Sequence, residues 1–336
     1  MIREAIGDVV AGRTLDEATA TAVMNEIMSG EATPAQLGAF LVALRLRGET
    51  VEELAGFARV MREKALRVSV SSPVMDTCGT GGDGAATINV STAAAFVAAA
   101  AGARVGKHGN RAMSSRCGSA DVLEALGVKI DLGPEAVARC IDEVGMGFMF
   151  APGYHPAMRF AAGPRREIGV RTVFNLLGPM TNPAGARSQV LGVPEEGLTD
   201  KLAQVLLRLE CDRAMVVYGL DGLDEFSVSG PTGVAEVRDG QLRSWQVTPE
   251  EVGLRRWPRE DVRGAGPEQN AAALRAVFAG RPGAHRDFVL LNAAAALVVG
   301  GVAEDLRAGV QRAAEVVDSG EAGRRAEALA RLSQTL

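Results

Sequence analysis

Aromatic residues are scarce in this chain of 336 residues: Phe, Trp and Tyr together make up 4% of it, whereas Gly occurs 40 times. This composition favours close packing of helices on a sheet over a large aromatic core. Cysteine is rare too, and no C-x-x-C pair occurs, which argues against a zinc site and a disulfide framework. We expect reduced thiols and a cytoplasmic protein. The four cysteines are Cys78, Cys117, Cys140 and Cys211.

Long hydrophobic runs are also lacking. The two most apolar stretches, TAAAFVAAAAGARV and FVLLNAAAALVVGGV, are shorter than a membrane-spanning helix requires, and we expect both to form buried helices. The N-terminal residues contain no apolar core of the kind found in a signal peptide. A formal net charge of -5 gives no reason to expect nucleic-acid binding. The sequence thus predicts neither a membrane nor a nucleic-acid partner.

The sequence of the first part of the chain predicts a small helical unit. Three capping-box patterns, TLDE at 14–17, TPAQ at 33–36 and TVEE at 50–53, each precede apolar residues with a helical period. No strand signal occurs before Val68. Because 336 residues exceed one ordinary core, we expect two domains, the first an all-helical domain of residues 1–66.

From Val74 onwards short β-rich runs alternate with helical ones. Helices are predicted near 91–101, from Ser119, and over most of 266–334, and residues 226–248 resemble a β-meander. The alternation predicts an α/β domain with a mostly parallel central sheet, whose ligands lie beyond the carboxyl ends of the strands. The other strand candidates are PVMDTC, ARVGKHG, GMGFMFAP, SQVLGV and RAMVVYGL.

The segment DTCGTGGDGA, from Asp76 to Ala85, contains the spelling G-x-G-x-x-G. A dinucleotide fold would also need an acidic residue about 20 positions further on, to bind the ribose. No Asp or Glu occurs between Ala85 and Ala120, and Asp83 would repel a pyrophosphate unless a cation intervened. No Gly-Lys-Ser/Thr follows either, so the segment is not a Walker A loop.

The acid-free stretch is rich in cations, which indicates an anionic ligand beside the glycine loop. Asn89, Ser91 and Thr92 stand where a helix should begin, and its N-terminal amides could hold phosphate. A simple helix cap is the alternative for Ser91 and Thr92. The basic residues are Arg104, Lys107, His108, Arg111 and Arg116.

Two adjacent carboxylates, Asp224 and Glu225, occur in GLDGLDEFSVSG. Alone, they read best as a surface pair. Near a phosphate site they would suit Mg²⁺, which prefers one or two carboxylates, several waters and the phosphates of the substrate.

Five segments, DTCGTGGDG, NVST, KHGNRAMSSRCGSADVLEALG, RTVFNLLGPMTNP and LDGLDEFS, occur in this order over nearly the whole chain. In this the chain resembles the anthranilate phosphoribosyltransferases. The resemblance implies that the phosphoribosyl group of 5-phosphoribosyl-1-pyrophosphate (PRPP) is transferred to the amine of anthranilate, with release of pyrophosphate, in tryptophan biosynthesis. It also implies Mg²⁺ and a homodimer formed through the helical domain. In that family the chain returns once to the helical domain, here near 164–180, leaving 70–163 and 181–336 for the α/β domain.

The resemblance also assigns roles to residues. Lys107 and His108 would be the catalytic residues, although His108 could equally be a positioning residue rather than a proton acceptor. Arg165 would bind the anthranilate carboxylate, but the adjacent Arg166 is an alternative. The residues implied for PRPP are Gly79, Gly81, Gly82, Asp83, Thr87, Asn89, Ser91, Thr92, Lys107 and Ser119. Those implied for anthranilate are Gly79, His108, Asn110, Tyr154, His155 and Arg165, and those for the metal are Ser91, Asp224 and Glu225.

Two other interpretations remain open at this stage. A pyrimidine nucleoside phosphorylase has a similar fold and would bind phosphate and a nucleoside. A relative of the same fold could also have become a nucleic-acid-binding protein. The Asp224–Glu225 pair and the KHGN segment favour the transferase over both, and the acidic net charge weighs against nucleic acid.

Overall fold

A computed structural model describes residues 1–112 and 116–336 of the chain. Its first 64 residues form four helices, α1 (Ile2–Val10), α2 (Glu17–Met28), α3 (Pro34–Arg47) and α4 (Val51–Lys64), and no strand occurs there. The predicted helical start is therefore confirmed. The boundaries of the two domains stay a prediction, because the packing described below does not separate them.

Two of the three predicted capping boxes are present. In α3 the Gln36 amide donates to Thr33 Oγ1 at 3.2 Å, while Gln36 Oε1 accepts from the Thr33 amide at 2.9 Å. Thr50 caps α4 in the same way. The prediction for Thr14 was wrong, because α2 is capped by Asp16, whose Oδ1 accepts from the Thr19 amide at 2.7 Å.

The central sheet has seven strands in the order β3-β2-β1-β4-β5-β6-β7. The first five are mutually parallel, and β6 and β7 continue the sheet as an antiparallel hairpin. The predicted α/β fold with a mostly parallel sheet is confirmed, and the hairpin accounts for the predicted meander. The strands are β1 (Met75–Gly79), β2 (Val105–Gly109), β3 (Met146–Phe150), β4 (Ser188–Gly192), β5 (Arg213–Gly219), β6 (Thr232–Arg238) and β7 (Gln241–Val247).

Helices cover both faces of this sheet, as a mostly parallel sheet requires. The two apolar runs form α5 and α13, which pack on each other and on the sheet, and no helix of the described residues is long and apolar enough to cross a membrane. The remaining helices are α5 (Val90–Ala100), α6 (Ser119–Ala125), α7 (Pro134–Val144), α8 (Ala151–Tyr154), α9 (Arg159–Ile168), α10 (Val173–Leu177), α11 (Thr199–Arg208), α12 (Pro267–Phe278), α13 (Ala284–Val299), α14 (Leu306–Asp318) and α15 (Glu321–Ser333).

The buried apolar residues form two cores, one on each face of the sheet. The first contains α5, α7 and the C-terminal helices. The second joins α1–α4 to α11 and to the opposite face of β4 and β5, through residues such as Leu191, Val193 and Val216. Helix α9 packs on α2 and α3, and α10 on α3 and α4. Ala157 and Met158, just before α9, also pack against this second core, and the bounds of the returning segment near 164–180 stay a prediction.

Candidate active site

The loops that follow β1, β2 and β5 surround one cavity of about 320 Å³ at the carboxyl edge of the sheet. All ten residues predicted to bind PRPP line it, from Gly79 in the glycine loop to Ser119 at the start of α6. The three residues predicted for the metal, Ser91, Asp224 and Glu225, line it as well. The structure thus brings together residues that are up to 146 positions apart, counted from Gly79 to Glu225.

Lys107 projects from β2 into this cavity and is almost fully buried, with 1% of its surface exposed. Its Nζ donates to the Thr77 carbonyl oxygen, and Ser91 Oγ lies 3.4 Å from it. Beneath it, Asp76 accepts from the Thr77 amide at 2.8 Å and from Asn182 Nδ2 at 2.7 Å. Burial raises the pKa of Asp76 to about 6, although the charge of Lys107 acts against this rise. A buried ammonium group is unfavourable unless an opposite charge pairs with it, so this site suits an anionic ligand.

The start of α5 forms another wall of the cavity. Its N-terminal residue is Asn89, which makes no side-chain cap among the described residues. Instead Asn89 Nδ2 donates to the Cys117 carbonyl at 3.0 Å, and its Oδ1 accepts from Asn270 Nδ2 at 2.8 Å. Thr92 Oγ1 is buried and has no hydrogen-bond partner within 1–112 and 116–336. The structure does not contain the alternative in which Ser91 or Thr92 merely caps the helix. The Val90 and Thr92 amides donate to the carbonyl oxygens of Ile88 and Asn89, so the Ser91 amide and the Thr92 hydroxyl are the groups that suit a phosphate.

An acidic wall faces the glycine loop. Asp224 Oδ2 accepts from the Gly81 amide at 2.8 Å, and burial together with Asp83 raises the pKa of Asp224 to about 7. Burial and the neighbouring Asp224 raise the pKa of Glu225 well above its usual value. Gly79 is required here, because a Cβ at this position would overlap the Asp224 carboxylate. Buried carboxylates that repel one another favour a cation between them.

The described residues contain no cluster of three or more His, Cys, Asp or Glu side chains that could hold a metal by themselves. This agrees with the chemistry of Mg²⁺, which is held by one or two carboxylates and completes its shell with water and phosphate oxygens. Asp224 and Glu225 are a donor set of that kind, and both line the cavity.

His108, which lines the cavity, and His155, which lies behind it, form a buried pair with 3.2 Å between their Nε2 atoms. Burial, and for His108 also the neighbouring His155, lowers the pKa of His108 to about 3, and burial lowers that of His155 to about 4. Both rings are therefore neutral at pH 7, and one must donate to the other. A ring with so low a pKa is a weak base, which favours the positioning role for His108.

A second cavity adjoins the first and is lined by arginines. Arg165 lies in its wall, with its guanidinium carbon 5.0 Å from the centre of the Phe174 ring, and Arg166 lines the same cavity. Asn110 lines both cavities, and Gly79 and His108 line the first.

Two residues predicted to contact anthranilate line neither cavity in the part of the chain that the structure describes. Tyr154 is buried, and its hydroxyl donates to the Leu132 carbonyl at 2.9 Å, so the implied contact with anthranilate does not match the structure. His155 contacts the ring of His108 from behind and borders a small space with Met28 and Met61.

The sequence reasoning missed Arg171 and Asn175, which line both cavities. Both follow α9, in the segment that packs back on the helical unit. The motif RTVFNLLGPMTNP contains both residues, but only the folding of that segment places them at the site.

Comparison with known proteins gives the family. Residues 71–323 match the glycosyl transferase family a/b domain, and residues 3–65 match its helical bundle domain. Over 323 residues the chain is 61% identical to the anthranilate phosphoribosyltransferase of Chloroflexus aggregans, covering 96% of this chain and 95% of the relative. The chain belongs to the anthranilate phosphoribosyltransferase family.

Solved structures of this family agree with the fold. The anthranilate phosphoribosyltransferase of Thermus thermophilus has a TM-score of 0.93 and 47% identity, covering 98% of this chain and 99% of that chain. The Saccharomyces cerevisiae enzyme, in complex with PRPP and Mg, has a TM-score of 0.91 and 26% identity, covering 100% and 98%. Membership of the anthranilate phosphoribosyltransferases decides between the interpretations that the sequence left open, in favour of the transferase.

The histidine pair of this phosphoribosyltransferase predicts a pH-dependent stability. A folded-state pKa below the unfolded value means that stability is fully present above pH 6.5 and is lost as the pH falls towards the folded pKa. His155→Gln keeps an N–H donor for His108 but cannot be protonated. From pH 7.5 to pH 5, the free energy of unfolding of the wild type should fall by about 2 kcal/mol relative to this variant.

Urea unfolding of both proteins at each pH measures this difference. Comparing the two proteins removes the opposite effect of Asp76 and Asp224, whose raised pKa values make protonation favour the folded state. A constant difference between the two proteins across this pH range would contradict the buried neutral pair.

Proposed function

We propose that this protein transfers the phosphoribosyl group of PRPP to the amine of anthranilate and releases pyrophosphate, a step of tryptophan biosynthesis. The proposal rests on one observation: two adjoining cavities are lined by residues of different chemical character. One has a buried ammonium group, the start of a helix without a side-chain cap and a carboxylate pair, and the other is lined by arginines. The first suits a pyrophosphorylated sugar, and the second suits an aromatic carboxylate.

The geometry supports bond breaking at the ribose in the first cavity. As the bond between ribose C1 and the pyrophosphate oxygen lengthens, negative charge grows on the leaving group and positive charge on the ring. Lys107 and the amides of the glycine loop can stabilise the leaving pyrophosphate. The amine nitrogen of anthranilate then bonds to C1 and loses a proton. Aromatic amines are neutral at pH 7, so this attack needs no strong base, in agreement with the low pKa of His108.

We further propose that Asp224 and Glu225, with Ser91 nearby, hold Mg²⁺ together with oxygens of PRPP. The raised pKa values of both carboxylates and their shared cavity support this, since a cation would relieve their repulsion. When bound, Mg²⁺ would neutralise charge on the departing pyrophosphate. Asp224 Oδ2 accepts from the Gly81 amide, and the second oxygen of this carboxylate can ligate the ion while that hydrogen bond is kept.

The direct test is a transfer assay that follows the loss of anthranilate fluorescence in the presence of PRPP and Mg²⁺. We expect turnover with Mg²⁺ and none with a chelator. The variant Asp224→Asn/Glu225→Gln should lose Mg²⁺-dependent turnover while its circular dichroism stays that of the wild type. Phosphorolysis of thymidine or uridine without transfer would overturn the proposal. Undiminished activity of the variant at low Mg²⁺ would overturn the metal assignment alone.

The anthranilate carboxylate is assigned to Arg165, which stacks on Phe174 and is thereby held in one orientation. Arg165→Ala should raise the KM for anthranilate by about tenfold or more, with a much smaller effect on the KM for PRPP. Arg166→Ala is the matched variant, because Arg166 lines the same cavity but is exposed. If Arg166→Ala had the larger effect on anthranilate, the two roles would be exchanged. Equal rises in both KM values for Arg165→Ala would contradict its assignment.

We propose that two copies of the chain pair through the helical unit. Large apolar side chains are exposed on α1 and α3, which pack side by side. Leu46 is 83% exposed and Val10 72%, and Met1 and Val42 add to the same two helices. An exposed apolar patch on neighbouring helices is a usual sign of a protein interface.

Light scattering tests this pairing. The wild type should have twice the 35.0 kDa mass of one chain, and Leu46→Asp should shift the protein towards the monomer at micromolar concentration. Val302→Asp, a matched change at an exposed apolar residue in the loop after α13, outside the helical unit, should leave the mass unchanged. A monomeric wild type would contradict the dimer. A Leu46→Asp variant that stays dimeric would place the interface elsewhere.

A further inference from the structure

Arg171 lies in the wall that the two cavities share, in the short connection between α9 and α10. Its Nη2 donates to the Thr80 carbonyl oxygen at 3.0 Å. Its guanidinium also packs against Gly82, which has a φ of +94°, and a Cβ at that position would overlap the guanidinium. One side chain from outside the sheet therefore makes two contacts with the glycine loop.

The other ties of the glycine loop come from the sheet side. The Thr80 amide donates to the Gly192 carbonyl at 2.9 Å, at the end of β4. The Gly81 amide donates to Asp224 Oδ2 at 2.8 Å, after β5. Gly81, Gly82 and Gly84 all have positive φ values, which only glycine adopts readily, so the loop has little stiffness of its own. Arg171 supports it from the opposite side.

The positive charge of Arg171 is not neutralised by a salt bridge within the part of the chain that the structure describes. Asp83, Asp224 and Glu195 are nevertheless near enough to influence the half-buried guanidinium. A planar guanidinium has five N–H donors, and the one described hydrogen bond uses only one nitrogen. The side chain is therefore oriented by the loop rather than by an acidic partner.

We propose that Arg171 is a positioning residue for the transfer reaction, which fixes the backbone of Thr80–Gly82 from the side of the second cavity and so joins the binding of the two substrates. The proposal rests on the proposed function. If Arg171 is lost, the backbone of Thr80–Gly82 no longer has a fixed position in the wall of the first cavity, and the shared wall of the arginine-lined cavity loosens at the same time. Both substrates should then bind less well, unlike the effect expected for Arg165.

Hydrogen exchange of the protein without ligands tests the contact with the loop. Arg171→Ala should speed amide exchange in a peptide covering Thr80–Gly84, while a peptide from α13 keeps wild-type exchange and reports an intact fold. Arg159→Ala is the matched control, because Arg159 is an exposed arginine of the same segment that stacks on Phe160, outside both cavities. It should exchange like the wild type. Unchanged loop exchange in Arg171→Ala would overturn the proposal.

Steady-state kinetics tests the link between the substrates. Arg171→Ala should raise the KM for PRPP and the KM for anthranilate by similar factors, about tenfold each. Arg171→Lys keeps the charge but cannot both donate to Thr80 and cover Gly82, so it should recover only part of the loss. If Arg171→Lys had wild-type KM values, the positive charge alone would explain the role of Arg171. If Arg171→Ala raised only one of the two KM values, the side chain would not join the binding of the two substrates. Either result would overturn the proposal. If the wild type showed no transfer, the proposed function would fail. The hydrogen-exchange experiment would still test the contact between Arg171 and the glycine loop, because it needs no substrate.

Discussion

A single buried carboxylate joins three parts of the chain on which the active site depends. Asp76, in β1, accepts from Asn182 Nδ2 at 2.7 Å and from the His108 amide at 3.3 Å. Asn182 also donates to the Gly106 carbonyl at 2.7 Å, so β1, β2 and the end of the returning segment meet at one point. Lys107 lies between the two β2 residues that this network holds. The position of the buried ammonium group therefore depends on hydrogen bonds that never reach the substrate.

Close backbone approach is the second constraint, and glycine meets it at two strand ends. At the ends of β1 and β4, a Cβ on Gly79 or Gly192 would overlap Asp224. The absence of both side chains lets the loop after β5 fold over the neighbouring strands, and this places Asp224 within reach of the Gly81 amide. The glycines of this site thus create contacts between loops as well as permitting turns.

The sequence predicted the α/β architecture, and it indicated Asn89, Ser91 and Lys107 as ligand residues because strand ends and helix starts are local features. The rest of the set predicted for PRPP came from the resemblance to the family. Sequence reasoning failed where distant contacts decide. Thr14 was the predicted cap of α2, but Asp16 caps it, next to the buried Leu15, which donates its amide to Glu53, 38 residues away. The hydroxyl of Tyr154 binds the Leu132 carbonyl, a partner that no spacing rule indicates. Arg171 reaches the glycine loop only after its segment has folded back.

The shared core beneath the helical unit limits how the molecule can move. Helices α1–α4 are not joined to the rest of the molecule by a flexible linker alone, because their apolar residues form one core with those of α11 and one face of the sheet. Swinging them away would expose that face to water, which costs free energy in proportion to the uncovered apolar area. Rearrangement between the two parts is therefore restricted to small sliding of packed surfaces. For the same reason the larger part, cut free of the first 64 residues, would carry an open hydrophobic face and tend to aggregate.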